Sequence, residues 1–476
     1  MPTKTRMPNY AEIILVLVIF ITTMFSFMTL LDLPIQLALF ISWFVLILLG
    51  LRLGHSYKNL QQSILKGIFD GLEATLVLVV VGALIGTWIA GGVVPSLIYY
   101  GLQMIHPSIF LLATMILCAI TSLATGTSFG TAGTAGIAMM GIGASFGVPL
   151  PLVAGAVLAG AYTGDKLSPL SDTTVMTASL SKVDIIEHVK SMLYVDVPAF
   201  LISGVLFTLV GFLYVGGTAD LSQAEEVSNA LAIHFNVSWY VLIPAVVVIA
   251  LLALKKPAIP TIAFGALLGS MWAVLFQGMN GLDAVNALYN GFSIDSGIAF
   301  LDDLLNRGGI AYMFDVIILI IFALGLGGLL EFTGVLKVIS HSFTKWITNP
   351  GRLTVSTVTS GFIGNFFGGA AYVSVITGTK MTEENYDKMR VDRRVLSRNT
   401  EAGGTITTPM VPWSDGGVFM ATVLGVSTLS YLPFMWFNFI TIAITIFYGF
   451  TGKFIWYVDE KKTAFTGDNE QTVGVN

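Results

Sequence analysis

The chain has 476 residues, 55% of them hydrophobic and 11% charged, with 23 basic and 28 acidic side chains and a net charge of −5. Soluble domains carry roughly 25% charged residues, so this composition excludes an ordinary cytosolic enzyme; a mean hydropathy of +0.83 demands apolar runs split by short polar stretches, the pattern of a polytopic helical membrane protein. The acidic balance offers no footprint for nucleic acid, and one cysteine, Cys118, excludes an intrachain disulfide, a cysteine-based zinc site and an iron–sulfur cluster.

Lys4 and Arg6 precede an apolar stretch, Ile13 to Leu31, that lacks a small-residue cleavage site and runs at once into a second apolar segment; a retained first helix is expected. Apolar length and the Pro and Gly breaks then predict crossings at 11–31, 33–51, 68–90, 107–124, 126–146, 149–182, 196–216, 238–254, 257–276, 310–335, 352–368, 369–381, 397–428 and 431–452. The fold class is therefore all-α, with about fourteen membrane passes. The polar stretches at 217–237, 277–308, 381–396 and 453–476 are too short for a separate domain.

Lys and Arg near helix ends are retained on the cytoplasmic side. With the N-terminus inside, every basic residue falls on that side except Arg307, outside, and Lys166, within the membrane. The outer loops are acidic, with Asp220, Glu225, Glu226, Asp283, Asp295, Asp302 and Asp303. Both termini are expected in the cytoplasm. Re-entrant hairpins at 107–146 or 352–381 leave the parity unchanged, and both geometries stay open.

A constant offset of 243 residues pairs Gly82 with Gly325, Gly91 with Gly334, Gly126 with Gly369, Pro169 with Pro412, Ser171 with Ser414, Asp172 with Asp415, Val175 with Val418 and Ala178 with Ala421. Seven crossings is an odd number, so the second copy is expected to be inverted, the arrangement of secondary transporters whose site lies where interrupted helices meet. The expected division is 1–67 N-terminal helices, 68–216 first copy, 217–309 connecting helices and outer loops, 310–452 inverted second copy, and 453–476 cytoplasmic tail.

Charged side chains at mid-membrane cost about 2.5–3.5 kcal/mol each on insertion scales and are kept where they face a cavity or partner. They concentrate between Ala161 and Thr174. Gly164 and Pro169 are expected to break the helix there into halves, 149–163 and 173–182, freeing backbone groups beside Asp165, Lys166, Ser168, Ser171, Asp172 and Thr173. Hydroxyls, carbonyls and carboxylates are the oxygen donors Na+ needs, so Asp165 and Asp172 are the expected Na+ and proton ligands, with Lys166 modulating them. Asp165 and Lys166 as a structural pair, and Asp172 as a helix cap, are the competing structural readings.

The second copy repeats the pattern from Arg398 to Asp415, offering Asn399, Glu401, Thr405, Ser414 and Asp415; Arg398 reads as an interface anchor. The segments Thr125 to Thr131, with Thr127 and Ser128, and Gly364 to Gly369, with Asn365, either turn toward the same centre or serve close helix packing. Glu73, Asp315 and Glu331 are possible pathway residues, and the histidines at 55, 106, 188, 234 and 341 fall in loops or interfaces without metal-site spacing.

Over 10–452 the chain resembles the NhaC-type sodium/proton antiporter family, and within it the malate/lactate-coupled members. The resemblance rests on Leu33 to Ala38, Gly82 to Trp88, Ser122 to Ser128 and above all Gly164 to Thr173. It implies a bacterial inner-membrane carrier of elevator type with inverted repeats, commonly a homodimer in the lipid bilayer, that exchanges cytoplasmic Na+ for external protons and needs no cofactor. For the malate/lactate-like members it implies malate uptake with protons against lactate export with Na+. An ion channel is the alternative of a different class, and the absence of a nucleophilic set or metal motif argues against an enzyme.

Overall fold

The computed structural model describes residues 5–458 apart from 32, 71, 216–220, 255, 298–300, 303–304, 307 and 345. Lys4, Asp220, Lys255, Asp303, Arg307, Lys345, Lys461 and Lys462 of the charge argument, and the side chains of Glu73 and His341, lie outside the described residues. The elements are helical. They begin with α1 (Tyr10–Phe25), α2 (Ile35–Arg52), α3 (Tyr57–Asp70), α4 (Leu72–Ala90), α5 (Val93–Met104), α6 (Phe110–Thr125), α7 (Ser128–Thr131), α8 (Ile137–Ser145), α9 (Leu150–Leu167), α10 (Asp172–Ser181) and α11 (Ile185–Val210). Four connecting helices follow, α12 (Leu221–His234), α13 (Ile243–Ala253), α14 (Ala258–Phe276) and α15 (Gly281–Asn290). The rest are α16 (Phe314–Phe332), α17 (Val335–Thr344), α18 (Pro350–Gly368), α19 (Ala371–Lys388), α20 (Arg393–Gly403), α21 (Asp415–Leu424), α22 (Thr428–Tyr431) and α23 (Trp436–Thr451).

Among the described residues, five helices are individually long and apolar enough to span a bilayer, and three bent pairs pass the same test together. Thus α4 does not simply end at Ala90: at Gly92, in the left-handed region at φ +76°, the chain bends by 67° into α5, an element the apolar reading omitted. The crossing expected at 196–216 begins earlier, at Ile185, because the side chain of Asp184 accepts from the backbone N–H groups of Ile186 and Glu187. Its first turns bury His188 and Ser191, polar residues that a hydropathy window passes over. The span expected at 149–182 is two helices, α9 and α10. That expected at 397–428 falls into α20, a 3₁₀ segment (Thr405–Met410) and α21.

The 243-residue offset reappears in the helices. α6 and α18 end at Thr125 and Gly368, and Gly126 and Gly369 close them at φ +71° and +67°. α9 and α20 start at Leu150 and Arg393, while α10 and α21 cover Asp172–Ser181 and Asp415–Leu424. Packing keeps the same register. A Cβ on Gly160 would collide with the carbonyl oxygen of Met115, and one on Gly403 with that of Val358. Ser122 Oγ donates to the Ala161 carbonyl at 2.6 Å, and Asn365 Nδ2 to the Gly404 carbonyl at 2.5 Å. In both halves a glycine therefore lets two helices touch backbone to backbone, and a side-chain donor satisfies a carbonyl beside the contact.

α18 and α19 fold back on each other around Gly369. A Cβ on Gly364 would meet Ser374, and Thr357 Oγ1 bonds Thr382 Oγ1 at 3.1 Å farther along the pair. A Gly403→Ala substitution forces a methyl into the Val358 backbone, an overpacking worth about 1–3 kcal/mol. Thermal unfolding in detergent should show a lowered midpoint for this variant, whereas Gly281→Ala, with no atom within 4 Å of the added Cβ, should melt like the parent protein.

Candidate functional site

Gly164 does not break its helix. α9 runs on to Leu167, and Gly164 serves close approach instead, since a Cβ there would collide with the backbone of Ala119 and Leu123 on α6. The interruption is confined to Ser168–Ser171. Ser168 Oγ donates to the Leu123 carbonyl at 3.0 Å, and Ser171, rather than Asp172, caps α10 by accepting from Thr174 N at 3.3 Å. Asp165 and Lys166 thus occupy the last turn of α9, where the unpaired carbonyls of a helix end favour a cation.

The Lys166 ammonium is fully buried and shared by carboxylates from both halves: Nζ lies 3.0 Å from Glu401 Oε2 and 3.5 Å from Asp165 Oδ2. It donates to Thr173 Oγ1 at 2.8 Å, which in turn bonds Ser171 Oγ at 3.0 Å. Ser128 Oγ donates to Asp165 Oδ2 at 3.1 Å, so the polar turn after α6 reaches the same point. Thr405 Oγ1 donates to Glu401 Oε2. Each carboxylate keeps one oxygen, Asp165 Oδ1 and Glu401 Oε1, buried without a hydrogen-bond partner among the described residues. Ion pairs this deep are costly to open, because removal of one partner strands the others away from water.

The remaining expected ligands separate into other groups. Asn365 joins Gly404, Thr407 and Thr408 around the break after α20, and Ser414 Oγ donates to the Thr408 carbonyl at 2.5 Å. The Asp415 carboxylate accepts from the backbone N–H of Ala371 and of Gly416. Asn399 donates to Thr354 Oγ1 at 3.0 Å and to the Tyr386 hydroxyl at 2.8 Å. Thr127 caps α7, and Thr125 is half-buried against the Ser122 carbonyl. Asp172 is exposed at the start of α10, as are Asp315 and Glu331 on α16.

Two expectations are overturned by burial. His188 lies in neither a loop nor an interface but in the interior, with Nε2 3.9 Å from Glu401 Oε1 and Nδ1 2.9 Å from Ser397 Oγ. Its place four residues from Asp184, the cap of α11, was the available signal. Arg398 is no surface anchor: it is fully buried, donates to the Phe454 carbonyl at 3.2 Å and lies against the Trp456 ring. Beyond α19 an open cavity of about 850 Å³ is lined by Lys66, Lys337, Lys380 and Lys388 together with Glu331 and Glu384.

An ammonium held between buried carboxylates beside interrupted helices is the equipment of a secondary transporter for cations. The model of the Na+/H+ antiporter family matches residues 3–184 and 160–453, and the chain belongs to that family. It is 60% identical to the malate-2H(+)/Na(+)-lactate antiporter of Bacillus subtilis, over 95% of this chain and 97% of that one. The Na(+)/H(+) antiporter NhaC of Alkalihalophilus pseudofirmus is 35% identical over 91% and 93% of the two chains. The arginine/ornithine antiporter ArcD of Halobacterium salinarum is 34% identical over 86% and 85%. The protein is thus a multi-pass membrane antiporter.

Breaking the central pair from one side should be far more damaging than breaking it from both. Lys166→Met is expected to cost about 3–5 kcal/mol, in line with other buried pairs. The double variant Lys166→Met, Glu401→Gln should recover part of that loss. A double-mutant cycle on thermal unfolding measures the coupling, and strictly additive effects would count against a shared pair.

Proposed function

We propose that the protein exports Na+ in exchange for protons across the bacterial cytoplasmic membrane, with Asp165 and Glu401 as the cation-binding carboxylates and Lys166 as the resident cation that modulates them. The observation that carries this reading is the buried ammonium between two carboxylates, each with one oxygen that has no hydrogen-bond partner among the described residues. Na+ is a hard cation that takes oxygen ligands. Ser128, Thr173 and Thr405 supply neutral oxygens beside those carboxylates, and Ser168 and Ser171 hold the turn that presents them. Asp172, exposed at the start of α10, serves as the outer carboxylate on the way in. In the second half, Asn365, Asn399, Ser414 and Asp415 fix the broken helix that carries Glu401, and Thr125 and Thr127 shape the turn that carries Ser128.

The architecture that goes with this mechanism has fourteen passes, two inverted copies at 68–216 and 310–452, and both termini in the cytoplasm. The site-bearing helices of both copies move together against a fixed scaffold, formed by 1–67 and 217–309, in an elevator-type homodimer. The odd number of crossings in a 243-residue offset supports the inversion, and the shared helix boundaries support the copies.

A second reading adds an organic anion: malate enters with protons while lactate leaves with Na+. It is favoured by the 60% identical relative and by the basic balance of the large cavity, whose lining carries four lysines against two glutamates. In everted vesicles Asp165→Asn should abolish Na+-driven proton movement while leaving the protein folded; normal exchange at unchanged apparent Na+ affinity removes Asp165 from the mechanism. Purified protein in liposomes loaded with lactate and Na+ should take up radiolabelled malate if the anion is cargo, and should show only Na+ and proton fluxes if it is not.

A further inference from the structure

Asp196 lies on α11, outside the group of residues just assigned. It is fully buried, and among the described residues neither of its carboxylate oxygens has a hydrogen-bond partner. The charged groups within its electrostatic reach are Glu401 and Arg398 of α20 and Lys166 of α9. The other helices packed on α11 bring neutral buried side chains, Thr177 and Ser181 from α10, Thr441 and Thr445 from α23 and Cys118 from α6. Among the described residues no ammonium or guanidinium is bonded to it. A carboxylate with neither a paired cation nor a hydrogen-bond donor belongs in such a place only with its proton on.

Position along the helix sets Asp196 in line with other ionisable groups. His188, Met192 and Asp196 follow one another at i, i+4 and i+8 on the buried stripe of α11, a rise of about 12 Å. At the near end Glu187 is half-buried and pairs with Lys190 and Arg394. His188, one residue on, approaches Glu401. The same helix therefore carries ionisable groups from its exposed end, past Glu401, to Asp196.

We propose that Asp196 is the proton-carrying residue of the exchange, releasing its proton when Na+ enters between Asp165 and Glu401. The step balances: the Asp196 O–H bond breaks, the proton passes to water, and the negative charge formed on the carboxylate offsets the positive charge that Na+ brings in. This assignment rests on the Na+ site proposed above.

The test uses purified protein in liposomes and two measurements, Na+ uptake driven by a pH gradient and exchange of labelled for unlabelled Na+ without one. Asp196→Asn should lose at least tenfold in gradient-driven uptake while keeping Na+/Na+ exchange. Asp196→Glu should retain coupled uptake with a displaced pH profile. Gradient-driven uptake by Asp196→Asn with the parent pH profile overturns the proposal. Should that variant fail to fold, an unchanged pH profile in Asp196→Glu overturns it equally. Failure of the underlying site shows differently, as full activity of Asp165→Asn, whatever Asp196 does.

Discussion

A lysine ammonium with no exposed surface has to be neutralised where it stands, and Lys166 is neutralised from two directions. Asp165 comes from its own helix and Glu401 from α20, more than two hundred residues later in the chain. This requirement ties the halves of the molecule together, since Glu401 of the second half is paired with the ammonium of the first. It also explains details of the backbone. α9 must stay helical through Gly164 so that Asp165 and Lys166 present themselves from one rigid turn, and glycines at 160 and 164 let α6 come close enough to support it. α20 must end just after Glu401, so that Thr405 can turn back onto the carboxylate.

The two halves share a scaffold but not a charge pattern. At the 243-residue offset, Glu401 corresponds to Leu158 and Arg398 to Gly155, while Asp165 and Lys166 correspond to Thr408 and Pro409. Equivalent helices thus place ionic groups at non-equivalent turns, and the charges of one half find complements in the other rather than repeating them. Asp172 and Asp415 are the acids that do correspond, and their settings have diverged. Asp172 is exposed, whereas Asp415 is buried against backbone N–H groups at the turn after α18.

Much of this was legible in the sequence for a physical reason. Lipid forbids stray charge and unpaired backbone, so Asp165, Lys166 and Glu401 stand out against apolar surroundings, and Gly126, Gly369, Pro169 and Pro412 mark real interruptions. What stayed hidden was pairing across the interior. Asp165 and Asp172 are close in sequence and invite assignment as one site, whereas nothing in the sequence marks Glu401 as an ion-pair partner of Lys166. Gly164 looked like a helix breaker because glycine has two uses, flexibility and close packing, and composition cannot separate them. His188, Asp196 and Arg398 were missed or misplaced because each sits near a predicted helix end, where a polar residue ordinarily meets water or headgroups; α11 and α20 instead carry them into the interior.

With Asp196 as the proton carrier, the buried charges suggest why the exchange is obligatory. Asp165, Lys166, Glu401 and Arg398 together carry no net charge while Asp196 keeps its proton. Na+ entry adds one positive charge, and proton release from Asp196 cancels it, so the two loaded states, proton alone and Na+ alone, are electrically alike. An empty carrier is one charge more negative, and a doubly loaded one is one charge more positive. Moving an uncompensated charge through a low-dielectric barrier is penalised far more than moving a neutral cluster. A mobile element governed by that penalty crosses with one ion or the other, but not with both or neither. On that proposal the buried Arg398 completes the count, its guanidinium setting the zero of charge from which the two exchangeable cations are reckoned.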